Sequence, residues 1–315
     1  MTRRNRFLLT ALVLAFILTG GADARRKIVV GFAQVGAESA WRTANTESII
    51  SEAKKRGIEL KYVDGQQQQE NQIKAIRSFI AQKVDVIGFS PVVTSGWEQV
   101  LREAKRAGIP VILTDRAVDC ADDSLWVTFI GSDFVEEGRQ AARWLAEKMN
   151  GQARIFELQG TIDSAPTIDR KKGFEEIIAD YPGMKIISSQ IGDFTRSMGK
   201  EVMEAFLKKK GKCFDALFAH NDDMAIGAIQ AIEEFGLRPG TDITIVSIDA
   251  IRGAFEAMIE GKINCTVECN PLLGQKFFDA VEAVMSGKPL PKRIAIEEGV
   301  FPQEVAREVL PTRKY

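Results

Sequence analysis

The chain is poor in the residues that most often build metal sites and nucleophilic sites. Its 315 residues include one histidine, His220, and four cysteines, none of them in a Cys-x-x-Cys pair. A structural zinc site needs about four such ligands at close spacing, so we expect no metal and no cofactor. A Ser–His–Asp site would depend on His220 alone, and the chain has no Gly-x-Ser-x-Gly motif. The sequence therefore predicts no enzyme, with a glycoside hydrolase built on two carboxylates as a remote alternative.

The four cysteines do not predict a disulfide framework. Cys265 lies within the alternating segment Ile263–Glu268, and Cys269 follows it directly. Four residues of a strand span about 13 Å, whereas a disulfide requires Cα atoms within about 7 Å of each other. We therefore expect no bridge between this pair. Apart from that bridge, the pairing of Cys120, Cys213, Cys265 and Cys269 stays open.

Neither sign of charge dominates the sequence. The 42 basic and 43 acidic residues nearly cancel, and removing residues 1–24, which hold three basic residues and one acidic residue, changes the net charge from −1 to −3. Nucleic-acid binders usually carry a basic stripe, and binding to anionic lipid needs a positive surface. We therefore expect no nucleic-acid partner and no long-range attraction to membranes.

No apolar run is long enough to cross a bilayer, which takes about 20 residues. The N-terminal run, Phe7–Leu18, has about 12 residues, follows three arginines, and leads to the small-x-small pattern Ala22-Asp23-Ala24. These features are typical of a secretory signal peptide. The sequence predicts a cleaved leader over residues 1–24 and a protein exported to the periplasm.

Short apolar blocks alternate with helical patterns along the rest of the chain. The predicted strands are Lys27–Gln34, Ile58–Val63, Val84–Phe89, Ile109–Thr114, Trp126–Ile130, Ala153–Leu158, Lys185–Gln190, Asp215–Ala219, Ile243–Ile248 and Ile263–Glu268. Strand–helix alternation favours parallel sheets with helices on both faces. So many strands exceed one comfortable open sheet. The predicted fold is therefore α/β, with two doubly wound parallel-sheet lobes.

Polar and aromatic side chains follow these strands directly. The segments are Gly36–Arg42, Ser90-Pro91, Asp115-Arg116, Gln159-Gly160 with Asp169-Arg170 in the helix beyond, Gly192–Phe194, His220–Asp223 and Asp249. In open α/β sheets, ligands bind beyond the carboxyl ends of the strands. Carboxylates and guanidinium groups bind hydroxyls, and an aromatic ring covers the apolar side of a sugar. The sequence therefore predicts a binding site for a polyhydroxylated ligand.

Each of these residues also has a plain structural interpretation. Asp115 and Asp249 could be helix N-caps, and we expect Asp222 to cap the helix that follows it. Trp41 and Phe194 could be core residues. Arg170 could be a solvent-exposed helix charge, and we expect His220 to serve packing or a loop hydrogen bond.

Six segments carry a resemblance to a known family. They are VGAESAWR (Val35–Arg42), DGQQQQENQIKAIRSFIAQKVDVI (Asp64–Ile87), ELQGT (Glu157–Thr161), DRKKGF (Asp169–Phe174), GDFTRSMGKEVME (Gly192–Glu204) and AHNDDMAIGAIQAI (His220–Ile232). They resemble the periplasmic sugar-binding proteins of ABC importers, of the ribose-binding type, and most closely the branch that binds galactofuranose. The resemblance covers nearly all of the chain after the leader.

This resemblance implies a type I periplasmic binding protein, whose two lobes are joined by a three-segment hinge and close around a sugar. The implied N-terminal lobe is residues 25–131 plus 271–297, and the C-terminal lobe is residues 132–270 plus 298–315. The implied ligand-binding residues are Ser39, Trp41, Arg42, Asp115, Arg116, Arg170, Phe194, Asn221 and Asp249, with Glu38 and Ser90 as weaker candidates.

Two positions differ from the ribose-binding pattern. The glutamine that ribose binders carry after the strand at Ile263 is replaced by Cys269 or Asn270, and Arg42 stands where they place an aromatic ring. The resemblance therefore implies galactofuranose or a related neutral sugar rather than ribose.

The implied function is capture of a monosaccharide and its delivery, by a monomeric protein, to an ABC permease in the inner membrane. A sensing role beside a chemoreceptor or sensor kinase stays open, and three candidate arginines leave open a sugar acid as the ligand. A LacI-type regulator has a similar core, but it needs an N-terminal helix-turn-helix. The predicted leader occupies that place.

Overall fold

The first of two six-stranded sheets is built mainly from the N-terminal part of the chain. In the computed structural model, which describes residues 26–315, its order is β11-β5-β4-β3-β1-β2, and every pair in it is parallel. The strands are β1 Val29–Gln34, β2 Glu59–Asp64, β3 Val86–Phe89, β4 Val111–Thr114, β5 Thr128–Gly131 and β11 Arg293–Ala295. The predicted signal peptide lies outside the described residues.

The second sheet repeats this architecture with one change. Its order is β12-β10-β9-β8-β6-β7, and β12 is antiparallel to β10 while the other pairs are parallel. The strands are β6 Gln152–Gln159, β7 Gly183–Ile191, β8 Ala216–Ala219, β9 Thr244–Asp249, β10 Cys265–Glu268 and β12 Val300–Pro302. The predicted class, two parallel-dominated α/β sheets, is confirmed. The sequence did not predict β11 and β12, since three residues are too few to show a period.

Helices cover both faces of each sheet. They are α1 Ala40–Arg56, α2 Gln69–Ala81, α3 Glu98–Arg106, α4 Phe134–Lys148, α5 Ala165–Ile178, α6 Arg196–Lys210, α7 Asp222–Glu234, α8 Arg252–Ile259, α9 Gly274–Met285 and α10 Ala306–Val309. In β1, Phe32 packs on Phe277 of α9 with ring centroids 5.3 Å apart, while Ala33 faces the opposite cluster with Phe89. Alternate residues of one strand thus serve two cores. Across residues 26–315, no helix has the length and apolarity needed to cross a membrane.

The chain passes between the two sheets three times. It leaves the first sheet after β5, returns after β10 to place α9 on the first sheet, and crosses again between β11 and β12. The predicted lobe boundaries at residues 131, 270 and 297 stay a prediction.

The cap of α7 differs from the prediction by one residue. Asn221, not Asp222, is the N-cap, since its Oδ1 accepts the Met224 N–H at 2.9 Å. The Asp222 carboxylate is buried and accepts from the Ser247 and Thr266 hydroxyls and from the Ile251 N–H. Asp222 therefore ties α7 to β9, β10 and the start of α8.

Candidate functional site

One cavity lies between the carboxyl ends of the two sheets. The space between protein atoms there is about 290 Å³, part of it open to solvent. Its lining residues are Glu38, Ser39, Trp41, Arg42, Asp115, Arg116, Phe134, Pro166, Arg170, Phe194, Asn221, Asp249 and Cys269. The structure thus brings all nine stronger sequence candidates, and Glu38, to one place.

Ser90 does not line the cavity but supports a residue that does. Its hydroxyl donates to Asp115 Oδ2 at 2.9 Å. Phe134 and Pro166, which also line the cavity, are not among the residues predicted from the sequence. Each stands in the first turn of a helix, α4 and α5, rather than in the loop after a strand.

Arg42 is held by three acceptors of the first half of the site. Ser39 caps α1 by accepting the Arg42 N–H, which fixes the start of the helix. The Arg42 guanidinium then lies 2.8 Å from Asp115 Oδ2, 2.9 Å from Glu38 Oε1 and 3.2 Å from Gln34 Oε1. Burial alone would lower the pKa of Arg42, but the Asp115 and Glu38 carboxylates raise it above its ordinary value. Arg42 is therefore a permanently charged framework group.

The Arg116 guanidinium makes fewer hydrogen bonds than that of Arg42 does. Its Nη1 donates to the Val92 carbonyl at 3.0 Å, while its distances to Asp115 and Glu38 oxygens, 3.7 and 3.9 Å, exceed hydrogen-bond length. Burial, with Arg42 nearby, lowers the pKa of Arg116 to about 10. Within residues 26–315, Arg116 Nε and Glu38 Oε2 have no hydrogen-bond partner. A buried donor and a buried acceptor, each costing about 1–3 kcal/mol when unpaired, thus line the same cavity.

Arg170 and Asp249 form the second half of the site. Arg170 Nε donates to Glu137 Oε2 at 2.7 Å and Nη1 to the His220 carbonyl at 2.5 Å, while Nη2 lies 3.6 Å from Asp249 Oδ1. The Asp249 carboxylate accepts no hydrogen bond from any group of the described chain. Burial raises the pKa of Asp249 well above its usual range, with Arg170 opposing the shift. Its oxygens are therefore available to a ligand.

Each cavity arginine packs on an aromatic ring. The guanidinium carbon lies 4.7 Å from the Trp41 ring centroid for Arg42, 5.3 Å from Phe194 for Arg116 and 5.1 Å from Phe134 for Arg170. Such stacking fixes the plane of the guanidinium. Trp41 also donates its Nε1–H to the Cys269 carbonyl at 2.5 Å, across the gap between the sheets.

Three lining residues have left-handed backbone conformations. The φ angles are +62° at Asp115, +60° at Phe194 and +126° at Asp249. For residues other than glycine this is uncommon and costs about 1–3 kcal/mol each. The strained residues stand at the ends of strands or in the loops that follow them, where their side chains line the cavity. Neither Asp115 nor Asp249 is a helix cap.

The two halves of the site are in contact around the cavity. The Ala40 N–H donates to Asp223 Oδ2 at 2.7 Å, and the Thr94 N–H donates to the Asp163 carbonyl at 2.9 Å. The six charged lining side chains are only 2–5 % exposed. Three are arginines and three carry carboxyl groups, and Arg170 is also paired with Glu137, which lies outside the lining.

Comparison with known proteins agrees with this architecture. The family described as periplasmic binding protein domain matches residues 30–289. The galactofuranose-binding protein of Escherichia coli (strain K12) is 50% identical over 291 residues, covering 91% of this chain and 92% of the relative.

Two solved structures of similar proteins carry furanose ligands. A Mycobacterium smegmatis protein in complex with β-D-fucofuranose is 54% identical, with a TM-score of 0.89 over 91% of this chain and 95% of that one. The binding protein of the arabinose ABC transporter from Shewanella sp. ANA-3, bound to α- and β-L-arabinofuranose, is 53% identical, with a TM-score of 0.88 over the same shares. The chain therefore belongs to the family of periplasmic binding proteins.

Proposed function

We propose that the protein captures one neutral monosaccharide in this cavity and delivers it to an ABC permease. The observation that carries the proposal is the set of three arginines and three carboxyl groups, all of them buried, that line one cavity between the sheets. A neutral polyol offers hydrogen bonds to both the donors and the acceptors without adding charge. A sugar acid would bring a further negative charge beside the lining carboxyl groups, while Arg170 is already paired with Glu137, and burying an uncompensated charge is costly.

The proposed sugar is a furanose, either galactofuranose or a close relative. The ligands named for the similar proteins, which include galactofuranose, β-D-fucofuranose and L-arabinofuranose, support this ring form. Asp249 and Glu38 would accept from ring hydroxyls and Arg116 Nε would donate. The Trp41 and Phe194 rings would cover the apolar parts of the sugar.

Hinged closure would couple binding to delivery. A sugar that contacts both halves of the site favours the closed form, because it makes all its contacts only there. We propose that the lobes are residues 25–131 plus 271–297 and residues 132–270 plus 298–315. We also propose a monomer that acts in the periplasm after removal of residues 1–24.

The proposal includes no catalytic step. His220, the one histidine of the chain, is fully buried. Its Nε2 lies 3.2 Å from Glu157 Oε1 rather than in the cavity lining. We expect the sugar to be recovered unchanged after incubation with the protein.

A thermal-shift panel tests the function. D-galactose, D-fucose, L-arabinose, D-ribose and D-galacturonate would each be added to the mature protein at low and at high salt. A neutral furanose-forming sugar should raise Tm by mass action, and the shift should change little with salt because no net charge is neutralised. Stabilisation by D-galacturonate alone, weakening with salt, would contradict a neutral ligand.

Gly160→Ala should weaken sugar binding without removing any polar contact. A Cβ at this position would lie 1.9 Å from the Phe194 ring, which lines the cavity, so the ring must shift. We expect an affinity loss of about tenfold, together with an overpacking cost of about 1–3 kcal/mol in unfolding free energy. Calorimetric titration measures the first and urea unfolding the second.

Gly253→Ala is the matched control, because its new Cβ meets only flexible methyl ends, that of Ile226 at 3.2 Å and that of Ile251 at 3.9 Å. Equal affinity in wild type and Gly160→Ala would show that the position of Phe194 does not matter to the sugar.

A further inference from the structure

The three segments that cross between the sheets meet at one partly buried carboxyl group, that of Glu298. Ser132, which follows β5, donates its hydroxyl to Glu298 Oε1 at 2.5 Å. Asn270, which follows β10, donates its backbone N–H to the same oxygen at 2.8 Å. Glu298 itself lies between β11 and β12. One side chain therefore joins all three crossings.

A second carboxyl group faces this junction from α4. One carboxyl oxygen of Glu137, one of Glu298 and the Sγ atom of Cys269 all lie within 4.8 Å of one another. Glu137 uses Oε2 to hold Arg170 of the sugar cavity, while its Oε1 is buried and has no hydrogen-bond partner in the described chain. We call Glu137, Cys269, Glu298, Ser132 and Asn270 the hinge cluster.

The hinge cluster has too few positive charges for Glu137 and Glu298 both to be ionised. Burial raises the pKa of Glu137 as well, but Arg170, at 2.7 Å, opposes that shift, whereas Glu298 forms no ion pair with any residue of the described range. Burial and the nearby Glu137 charge raise the pKa of Glu298 to about 9. At neutral pH its carboxyl group therefore carries a proton.

We propose that Glu298, as a neutral acid, donates its O–H to Glu137 Oε1 while its other oxygen holds Ser132 and Asn270. It is then a positioning residue that ties the three crossings to Arg170, and through Arg170 to the sugar. The positioning role of Glu298 rests on the proposed function. The proton that Glu298 shares with Glu137 is argued from the geometry of the hinge cluster and does not depend on sugar binding.

Other titratable groups face the same region. Cys269 presents its thiol from the end of β10, and burial raises the pKa of that thiol well above its usual value. Arg170 of α5 and Asp249 after β9 lie beyond Glu137. Arg293 of β11 donates to the Ser132 carbonyl at 2.7 Å. A Glu298 variant keeps all of these groups, so the difference between its pH dependence and that of wild type reports the proton on Glu298.

The sign of the pH effect follows from linkage. An unfolded glutamate gives up its proton near pH 4.5, whereas the folded protein keeps the Glu298 proton up to about pH 9. Between these values the folded state binds one more proton, so this group's contribution to stability falls as pH rises. A glutamine at this position donates and accepts as the neutral acid does but does not titrate.

The test compares wild type, Glu298→Gln and Glu298→Ala. Without sugar, the Tm of wild type should fall relative to that of Glu298→Gln as pH rises from 5 to 9. At pH 7, with the sugar that gives the largest thermal shift, Glu298→Gln should bind within about threefold of wild type. Glu298→Ala should bind about tenfold more weakly, which corresponds to about 1.4 kcal/mol.

Glu297→Gln is the control, since it makes the same Glu-to-Gln replacement at an exposed neighbouring residue and should leave the pH profile of wild type unchanged. Parallel Tm profiles for wild type and Glu298→Gln would show an ionised Glu298 and overturn the proposal. So would a fall in Tm on adding EDTA, which would mean that the hinge cluster holds a metal ion. Unchanged affinity in Glu298→Ala would overturn the positioning role. If no sugar binds at all, the pH profile still decides whether the proton is shared.

Discussion

Asp249→Ala should lose at least about two orders of magnitude of sugar affinity while the unliganded protein keeps or gains thermal stability. The Asp249 carboxyl group lies 3.6 Å from Arg170, beyond hydrogen-bond length, and burial raises its pKa well above the usual range. Hydrogen bonds to charged groups contribute about 1.5–3 kcal/mol each, so two lost sugar hydroxyl contacts account for the affinity. Removing a buried carboxyl group that burial already disfavours in its charged form costs the fold little. Calorimetric titration and a thermal melt measure the two effects.

Asp180→Ala is the control for this variant, since it removes an exposed aspartate that follows α5 and should change neither quantity. A large fall in the Tm of unliganded Asp249→Ala would assign a structural role to the carboxylate. Unchanged affinity would remove Asp249 from the site.

Arg170→Met should damage both binding and folding. Arg170 is 3% exposed at its side chain and is the cation that compensates Glu137. Breaking a buried ion pair by removing one partner typically costs about 3–5 kcal/mol, because the other charge stays buried without compensation. We expect that loss in the free energy of unfolding measured in urea, together with a loss of sugar affinity too large to measure by calorimetry.

The double variant Glu137→Gln/Arg170→Met separates these two effects. It removes both charges, so most of the unfolding free energy should return, while sugar binding should not. Recovery of binding in the double variant would mean that Arg170 acts on the sugar only through the fold.

The strand-end positions predicted the site better than the individual residues did. Asn221 and Asp249 share an edge of the second sheet because parallel strands end on the same side of a sheet, and Asp115 lies at the corresponding edge of the first sheet. The order of residues along the chain reveals both edges. Sequence could not rank the candidates. Glu38 was placed among the weaker ones, yet its Oε2 is one of the unpaired buried atoms. Ser90 sits behind Asp115 rather than in the lining.

The contacts that set the charge of the site are invisible in the sequence because they join distant residues. Arg170 pairs with Glu137, 33 positions away, and Trp41 donates to Cys269, 228 positions away. Left-handed backbone at Asp115 and Asp249 likewise has no sequence signal, since neither is glycine. The prediction of Asp222 as a cap was wrong because the preceding Asn221 caps equally well and the buried carboxylate has three other donors.

The most direct test of a neutral furanose in the cavity is the carbon-13 spectrum of D-galactose labelled at C1 and bound to the mature protein. In water this sugar interconverts between ring forms, so the protein selects the one that fits. We predict a bound C1 signal at the shift of a furanose, absent when Asp249→Ala replaces wild type. A bound signal at the pyranose shift, or no bound signal at saturating protein, would contradict the account.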